Sequence, residues 1–419
     1  MPALEAWEKV IITGSNGTRF LTGVHGPDYA GDAIPHALKC QYCHLGGADY
    51  TFADADEAHA GMIRDPSAFG QSGCVQCHDD ADWVNACDAC HGAVVDATAN
   101  SLHTNLWGEK KAIEARCGCT FEGGGFESYF DQKCATCHTT CGQCHVSRPS
   151  SVEGGFPKFG GIIYSGHRFN GTPDMTENCT ACHGSRIGND FLGQSAGNLQ
   201  DLHRSRGFNC SSCHTAEEIH GDGGGTGGVY SHRYEVETMP RCENCHSPLP
   251  SNAYHDMHVN GTAADANLQC QVCHSQPYKN CTNCHNLVAE SLGEKYDIDP
   301  SVVQFKIARN PSPWRQEYDY VVVRHTPVDP GTFSDWGLAL PDYLSKPTWQ
   351  YASPHNVLRW TAQTTPPEGS SSCSISCHGT PATIDGIFLR EIDLYGADGV
   401  TRLPDYEANI GIVMPTSGR

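Results

Sequence analysis

Ten times in this chain two cysteines stand two residues apart with a histidine directly after the second. They are Cys40-Cys43-His44, Cys74-Cys77-His78, Cys87-Cys90-His91, Cys134-Cys137-His138, Cys141-Cys144-His145, Cys179-Cys182-His183, Cys210-Cys213-His214, Cys242-Cys245-His246, Cys270-Cys273-His274 and Cys281-Cys284-His285. Two thiols and an imidazole in this order are what covalent attachment of haem c needs: two thioether bonds to the macrocycle and one axial nitrogen on iron. At this chain's Cys and His frequencies chance predicts roughly 0.1 such match. An eleventh site, Cys373-Ser374-Ile375-Ser376-Cys377-His378, has three residues between the cysteines. The extra residue can bulge outward while both thioethers form, so it is read as a haem site, with a disulfide or free thiols beside a chance histidine as the alternative.

The ligand on the far side of each iron decides what such a haem can do. A second strong ligand closes the iron and leaves electron transfer; an open position permits chemistry on a bound molecule. Twelve histidines lie outside the motifs: His25, His36, His59, His103, His167, His203, His220, His232, His255, His258, His325 and His355. Eleven irons need eleven distal ligands, so the expectation is bis-histidine ligation throughout with one histidine to spare. The spare is expected in one of two clusters, His255 with His258 or His25 with His36, or on a haem of a neighbouring subunit. Methionine is the alternative ligand, but Met62, Met175, Met239, Met257 and Met414 show no regular spacing to the motifs. His203 precedes Cys210 by seven residues, too short a tether to wrap a macrocycle, so it is expected to cross to a neighbouring haem.

The elements that position these groups are weakly signalled. The fold expected is mostly irregular, with short helices and few strands, elongated and organised around a stacked chain of haems. Short helices suit the motifs because Cys and His at i, i+3 and i+4 share one face. Gly123-Gly124-Gly125 and Gly223-Gly224-Gly225 mark loops. Two residues separate His138 from Cys141, six separate His274 from Cys281 and eight separate His78 from Cys87, tethers that hold neighbouring macrocycles close. Composition changes after about residue 292. Residues 1–292 read as a haem-dense region with ten haems, and 293–419 as a C-terminal region with some β structure and the eleventh. Within the latter, Tyr318 to Arg324 is an apolar, β-branched run that reads as a strand.

Only 38% of the 419 residues are hydrophobic, against 45 Gly and 24 Pro, too little apolar surface for ordinary protein-built domains. The haems are expected to supply the missing core. No stretch approaches the roughly 20 apolar residues of a membrane helix, so no membrane insertion is expected. Haem c is attached outside the cytoplasmic membrane. The chain is therefore read as secreted and extracellular, or periplasmic, and as a mature form or one with a misplaced start, since Met1 to Gly23 holds no long apolar run. The formal charge of −21 would fall to about −32 with eleven ferric haems of about −1 each, which disfavours nucleic acid and anionic lipid as partners.

Cys117 and Cys119 belong to no motif, and a local disulfide with Gly118 permitting the turn is the leading reading, ahead of a metal or redox role. Asn-Gly-Thr triplets at Asn16, Asn170 and Asn260 match glycan acceptors and are read as ordinary turns.

With the eleven motifs and the distal histidines between residues 25 and 378, the chain resembles the multihaem c-type cytochromes of metal-respiring prokaryotes. Within that class it most resembles extracellular cytochromes that polymerise into conductive filaments, or nanowires. The resemblance implies eleven haem c groups, no catalytic residue, and long-range electron transfer in anaerobic respiration. It implies as partners the protein itself in a head-to-tail homopolymer, redox-protein donors, and an extracellular acceptor such as a metal oxide or another cell. At about 38 residues per haem (419 over 11) the chain is denser than the filament formers and nearer to porin-borne conduits, although a C-terminal region with one haem does not suit a conduit. The alternatives are a monomeric periplasmic or surface carrier and a multihaem reductase. The reductase needs an open or lysine-ligated haem, and no Cys-x-x-Cys-Lys occurs.

Overall fold

The computed structural model describes residues 88–133, 140–145, 171–222, 230–259, 267–280, 302–326, 330–331, 333–365, 377 and 386–414. Among these, irregular chain is interrupted by short helices and strands of three to six residues. The longest helix described, α1 (Asp88–Ala99), has 12 residues. No helix among the described residues is long and apolar enough to cross a membrane.

Helices of four to six residues cannot persist alone in water, and here side-chain caps start several of them. Ser101 caps α2 (Leu102–Asn105) through the amide of Thr104, and Asp201 caps Leu202–Ser205 through those of His203 and Arg204. Thr215 caps Ala216–His220, and Asn252 caps Ala253–His258 through Tyr254 and His255. Each capped helix carries one or two of the non-motif histidines. A cap satisfies amides that the first turn leaves without partners, so it fixes where the histidine beyond it stands.

By contacts the chain forms two units that interleave along the sequence: residues 1–106, 137–182 and 215–229, and residues 107–136, 183–214 and 230–419. The sequence reading placed a single boundary at 292. In the first unit α1 is kinked at His91 (φ −127°, ψ 29°) and packs with α2 and with Ala216–His220. Gly221 turns with φ +97° against the Ala97 carbonyl, 2.6 Å from where a Cβ would lie.

The second unit is built on an antiparallel sheet of β3 (Ile307–Arg309), β4 (Tyr320–His325) and β5 (Trp349–Tyr351), with β4 in the middle. The strand starts at Tyr320, two residues later than its apolar run, because Asp319 instead closes a turn onto Asn310 and Asn267. Alternation along the sheet splits its side chains between two cores. Val272, Tyr278, Phe305, Ile307, Val322, Ala352 and Phe388 make one, and Tyr234, Ala308, Val321, Val323, Tyr351, Leu389 and Ile412 the other. A second pairing, β1 (Tyr278–Asn280) with β2 (Val302–Gln304), ties residues before 292 into this unit. Residues 272–280 thus share a core with the C-terminal chain, which is why contacts do not divide the protein at 292.

Cys117 and Cys119 are disulfide-bonded, and Gly118 between them has φ +63°. A Cβ there would also meet the Asp342 carboxylate, whose backbone amide donates to Arg116 O at 2.9 Å. Gly118→Ala is expected to cost about 1–3 kcal/mol from the left-handed backbone and the displaced carboxylate, read as a lower denaturant midpoint with the disulfide intact by mass.

Candidate haem-binding sites

Five motifs lie fully within the described residues, and each occupies one tight turn. Cys141–His145 and Cys270–His274 are single α-helical turns, while Cys210–Ser212 and Cys242–Asn244 are 3-10 turns. Cys179 ends a π-helical turn that runs into Thr180–His183. In the 3-10 cases the motif histidine closes an α-type hydrogen bond onto the first cysteine: His214 N to Cys210 O and His246 N to Cys242 O, both 2.9 Å. Asn209 caps its turn by accepting the Ser212 amide at 3.0 Å. The turn brings both thiols and the imidazole to one side. None of the ten cysteines in these motifs is in a disulfide, nor is Cys377.

Four of the five motif histidines face a non-motif histidine. Ring centres are 5.9 Å apart for His145 and His220, 6.1 Å for His246 and His203, and 6.3 Å for both His214 with His355 and His274 with His255. Two imidazoles on one iron, with metal–nitrogen bonds of about 2.0 Å and about 1.1 Å from each nitrogen to its ring centre, stand about 6.2 Å apart. All four separations match that figure and exceed direct stacking. Among the described residues no group of three or more His, Cys, Asp or Glu is placed to hold a metal ion. Two imidazoles are too few for a bare ion and are the number wanted by an iron already held in a macrocycle.

Hydrogen bonds to Nδ1 orient these rings. His203 Nδ1 lies 3.1 Å from Asp201 Oδ1, His255 Nδ1 2.8 Å from Pro250 O, His355 Nδ1 2.8 Å from Ser353 O, and His274 Nδ1 3.2 Å from Leu358 O. An Nδ1–H donated to oxygen leaves the Nε2 lone pair for a metal, the usual supporting arrangement for a ligating histidine. Burial also favours the neutral, ligating form. It pushes His355 down to about 4, helped by the charge of His214, and lowers His183, His220 and His274.

The segment Ser353–Leu358 serves three sites at once. It carries His355, its Leu358 carbonyl holds His274, and its Val357 amide donates to Asp201 Oδ2 at 2.6 Å beside His203. Asp190, 0% exposed, secures this segment from below. It pairs with Arg324 Nη2 at 2.7 Å and accepts the backbone amides of His355 and Lys279. Burial raises the Asp190 carboxyl, and Arg324 with the amides opposes that.

Cysteines of successive motifs are close. The thiols of Cys242 and Cys270 hydrogen-bond to each other. Cys144 is pushed up to about 11 by burial and by neighbouring Cys179, Cys182 and Cys141. His183 and His214 also interact.

The remaining described histidines stand differently. His203 crosses to His246 of the following motif instead of facing His214. His91 begins the kinked part of α1, His103 lies on α2, and His258 ends the helix that carries His255. His325 and His232 face none of the described motif histidines. His325 is hydrogen-bonded through both nitrogens, to Thr326 O at 3.0 Å and Asp405 Oδ2 at 3.1 Å. His232 accepts the Tyr234 amide on Nδ1 at 3.2 Å and stacks on Trp314. Outside the described residues lie the motifs at Cys40, Cys74, Cys134 and Cys281, together with Cys87, Cys373, His378, His25, His36, His59, His167 and the asparagines of the three Asn-Gly-Thr triplets.

Sequence reasoning did not anticipate Asp190, Asp201 or the carbonyls of Pro250, Ser353 and Leu358. Asp201, two residues before His203, was findable as an N-cap signal; the others come from distant chain. No protein-family model matches this chain, and neither a curated protein nor a solved structure is significantly similar to it.

Proposed function

We propose that this chain is an electron-transfer protein carrying eleven covalently attached c-type haems, most of them closed by a histidine on each side. The observation that carries the reading is the placement of four motif histidines opposite four others, each pair spaced for one iron. Closed irons leave no room for a substrate and favour one-electron exchange between neighbouring macrocycles. The contact between Cys242 and Cys270 supports close approach of two such haems. The extracellular, filamentous form, built by head-to-tail contacts that do not close into a ring, rests on the resemblance to polymeric cytochromes. Redox-protein donors and a mineral or cellular acceptor belong to the same proposal.

The test is the intact mass of the exported protein, with optical spectra of oxidised and reduced forms. Eleven haem increments and low-spin spectra dominated by bis-histidine haem are expected. A mass equal to the bare polypeptide would end this reading. Electron micrographs of the same material separate filaments from a monomeric carrier.

A further inference from the structure

We infer that one haem of this chain has a sixth coordination position that no histidine of the chain fills, leaving that iron open to a small neutral ligand such as carbon monoxide. The inference rests on the haem reading above. Twelve histidines lie outside the motifs and eleven irons need closing, so a single spare would still close them all. The structure commits two to other work.

His325 sits at the end of β4 with both ring nitrogens facing oxygen acceptors, Thr326 O at 3.0 Å and Asp405 Oδ2 at 3.1 Å. These oxygens stand where a metal bound to either ring nitrogen would have to lie, so neither nitrogen is open to iron. Asp405 is itself held by Thr348 Oγ1 at 2.6 Å and Asn409 Nδ2 at 2.9 Å, so the pair belongs to a closed polar network. The Trp349 ring packs against it edge-to-face, centres 5.3 Å apart.

His232 is committed in another way. Its Nδ1 accepts the Tyr234 amide at 3.2 Å, which places the ring proton on Nε2, the reverse of the tautomer that ligates through Nε2. The ring lies flat on Trp314, centres 3.7 Å apart and planes 3° from parallel. Trp314 Nε1 donates to Glu235 Oε1 at 2.9 Å, and Glu235 Oε2 accepts the amides of Ser231 and His232 at 2.7 and 3.1 Å. Turning His232 to present a lone pair would give up both the cap and the stack.

At most ten non-motif histidines then remain for eleven irons. This is an upper bound, so it holds wherever the histidines outside the described residues stand. Four of the ten already face motif histidines.

Carbon monoxide titrated into the reduced holoprotein tests this, with haem counted by mass on the same sample. One molecule bound per eleven haems is expected, with a matching high-spin ferric signal by electron paramagnetic resonance. His232→Asn and His325→Gln are expected to leave both values unchanged. Eleven haems with no uptake and only low-spin signals would overturn the inference. A near-infrared methionine–haem band accounting for the eleventh iron, a count of ten haems, or a gain in uptake in either variant would do the same. A protein without haem would instead remove the reading on which the inference stands.

Discussion

His203→Ala is expected to turn one low-spin haem into a high-spin one and to add one carbon monoxide per chain in the reduced state. The informative step is to repeat the substitution in two backgrounds. With Cys242 and Cys245 both replaced by Ala, the haem beside His246 is gone and His203→Ala should add nothing. With Cys210 and Cys213 both replaced, the increment should persist. The opposite pattern would mean that His203 serves the motif nearest to it in sequence, against the 6.1 Å pairing of His203 with His246. Residues that share one iron are non-additive by construction, and this is what the double substitution reads.

Asp190→Ala is expected to be the most destabilising single change in the sheet-containing unit. The carboxylate is fully buried and neutralises Arg324, which is 8% exposed. Removing it strands a buried guanidinium, a loss of about 3–5 kcal/mol, or roughly 1–2 M in urea midpoint at ordinary slopes. A second consequence separates this residue from a merely structural ion pair elsewhere. Asp190 also holds the His355 amide, so a fraction of the haem between His214 and His355 should become high-spin even where the protein is folded. Asp393→Ala, which breaks the Lys306 pair (2.9 Å), should lower stability without that spectral change. Equal spectral effects in the two variants would sink the positioning role of Asp190.

The attachment chemistry is local and therefore legible. Five residues hold two thiols and an imidazole, and one helical turn is enough to bring them together, as Cys270–His274 and Cys141–His145 do. The strand through Val321, Val322 and Val323 was legible for the same reason, its β-branched run being its own signal. The boundary at 292 followed composition. Tyr278, fully buried with its hydroxyl against Lys306 O at 3.2 Å, packs in one core with residues of the later chain. Composition records how much apolar surface a segment has, not which distant segment covers it.

By itself the sequence determined the number and position of the candidate haem-attachment motifs, because such a motif needs only its own neighbours. It also bounded the ligand supply at twelve histidines. It could not say how those histidines are spent. Of the clusters expected to hold a spare, His255 faces His274 and His25 and His36 lie outside the described residues, while His325 and His232 are held within the protein. That outcome depends on Asp405 lying 80 residues from His325 and Trp314 far along the chain from His232. An imidazole serves equally as metal ligand, hydrogen-bond partner or stacking surface, and only what the fold brings to its two nitrogens and its face decides among them.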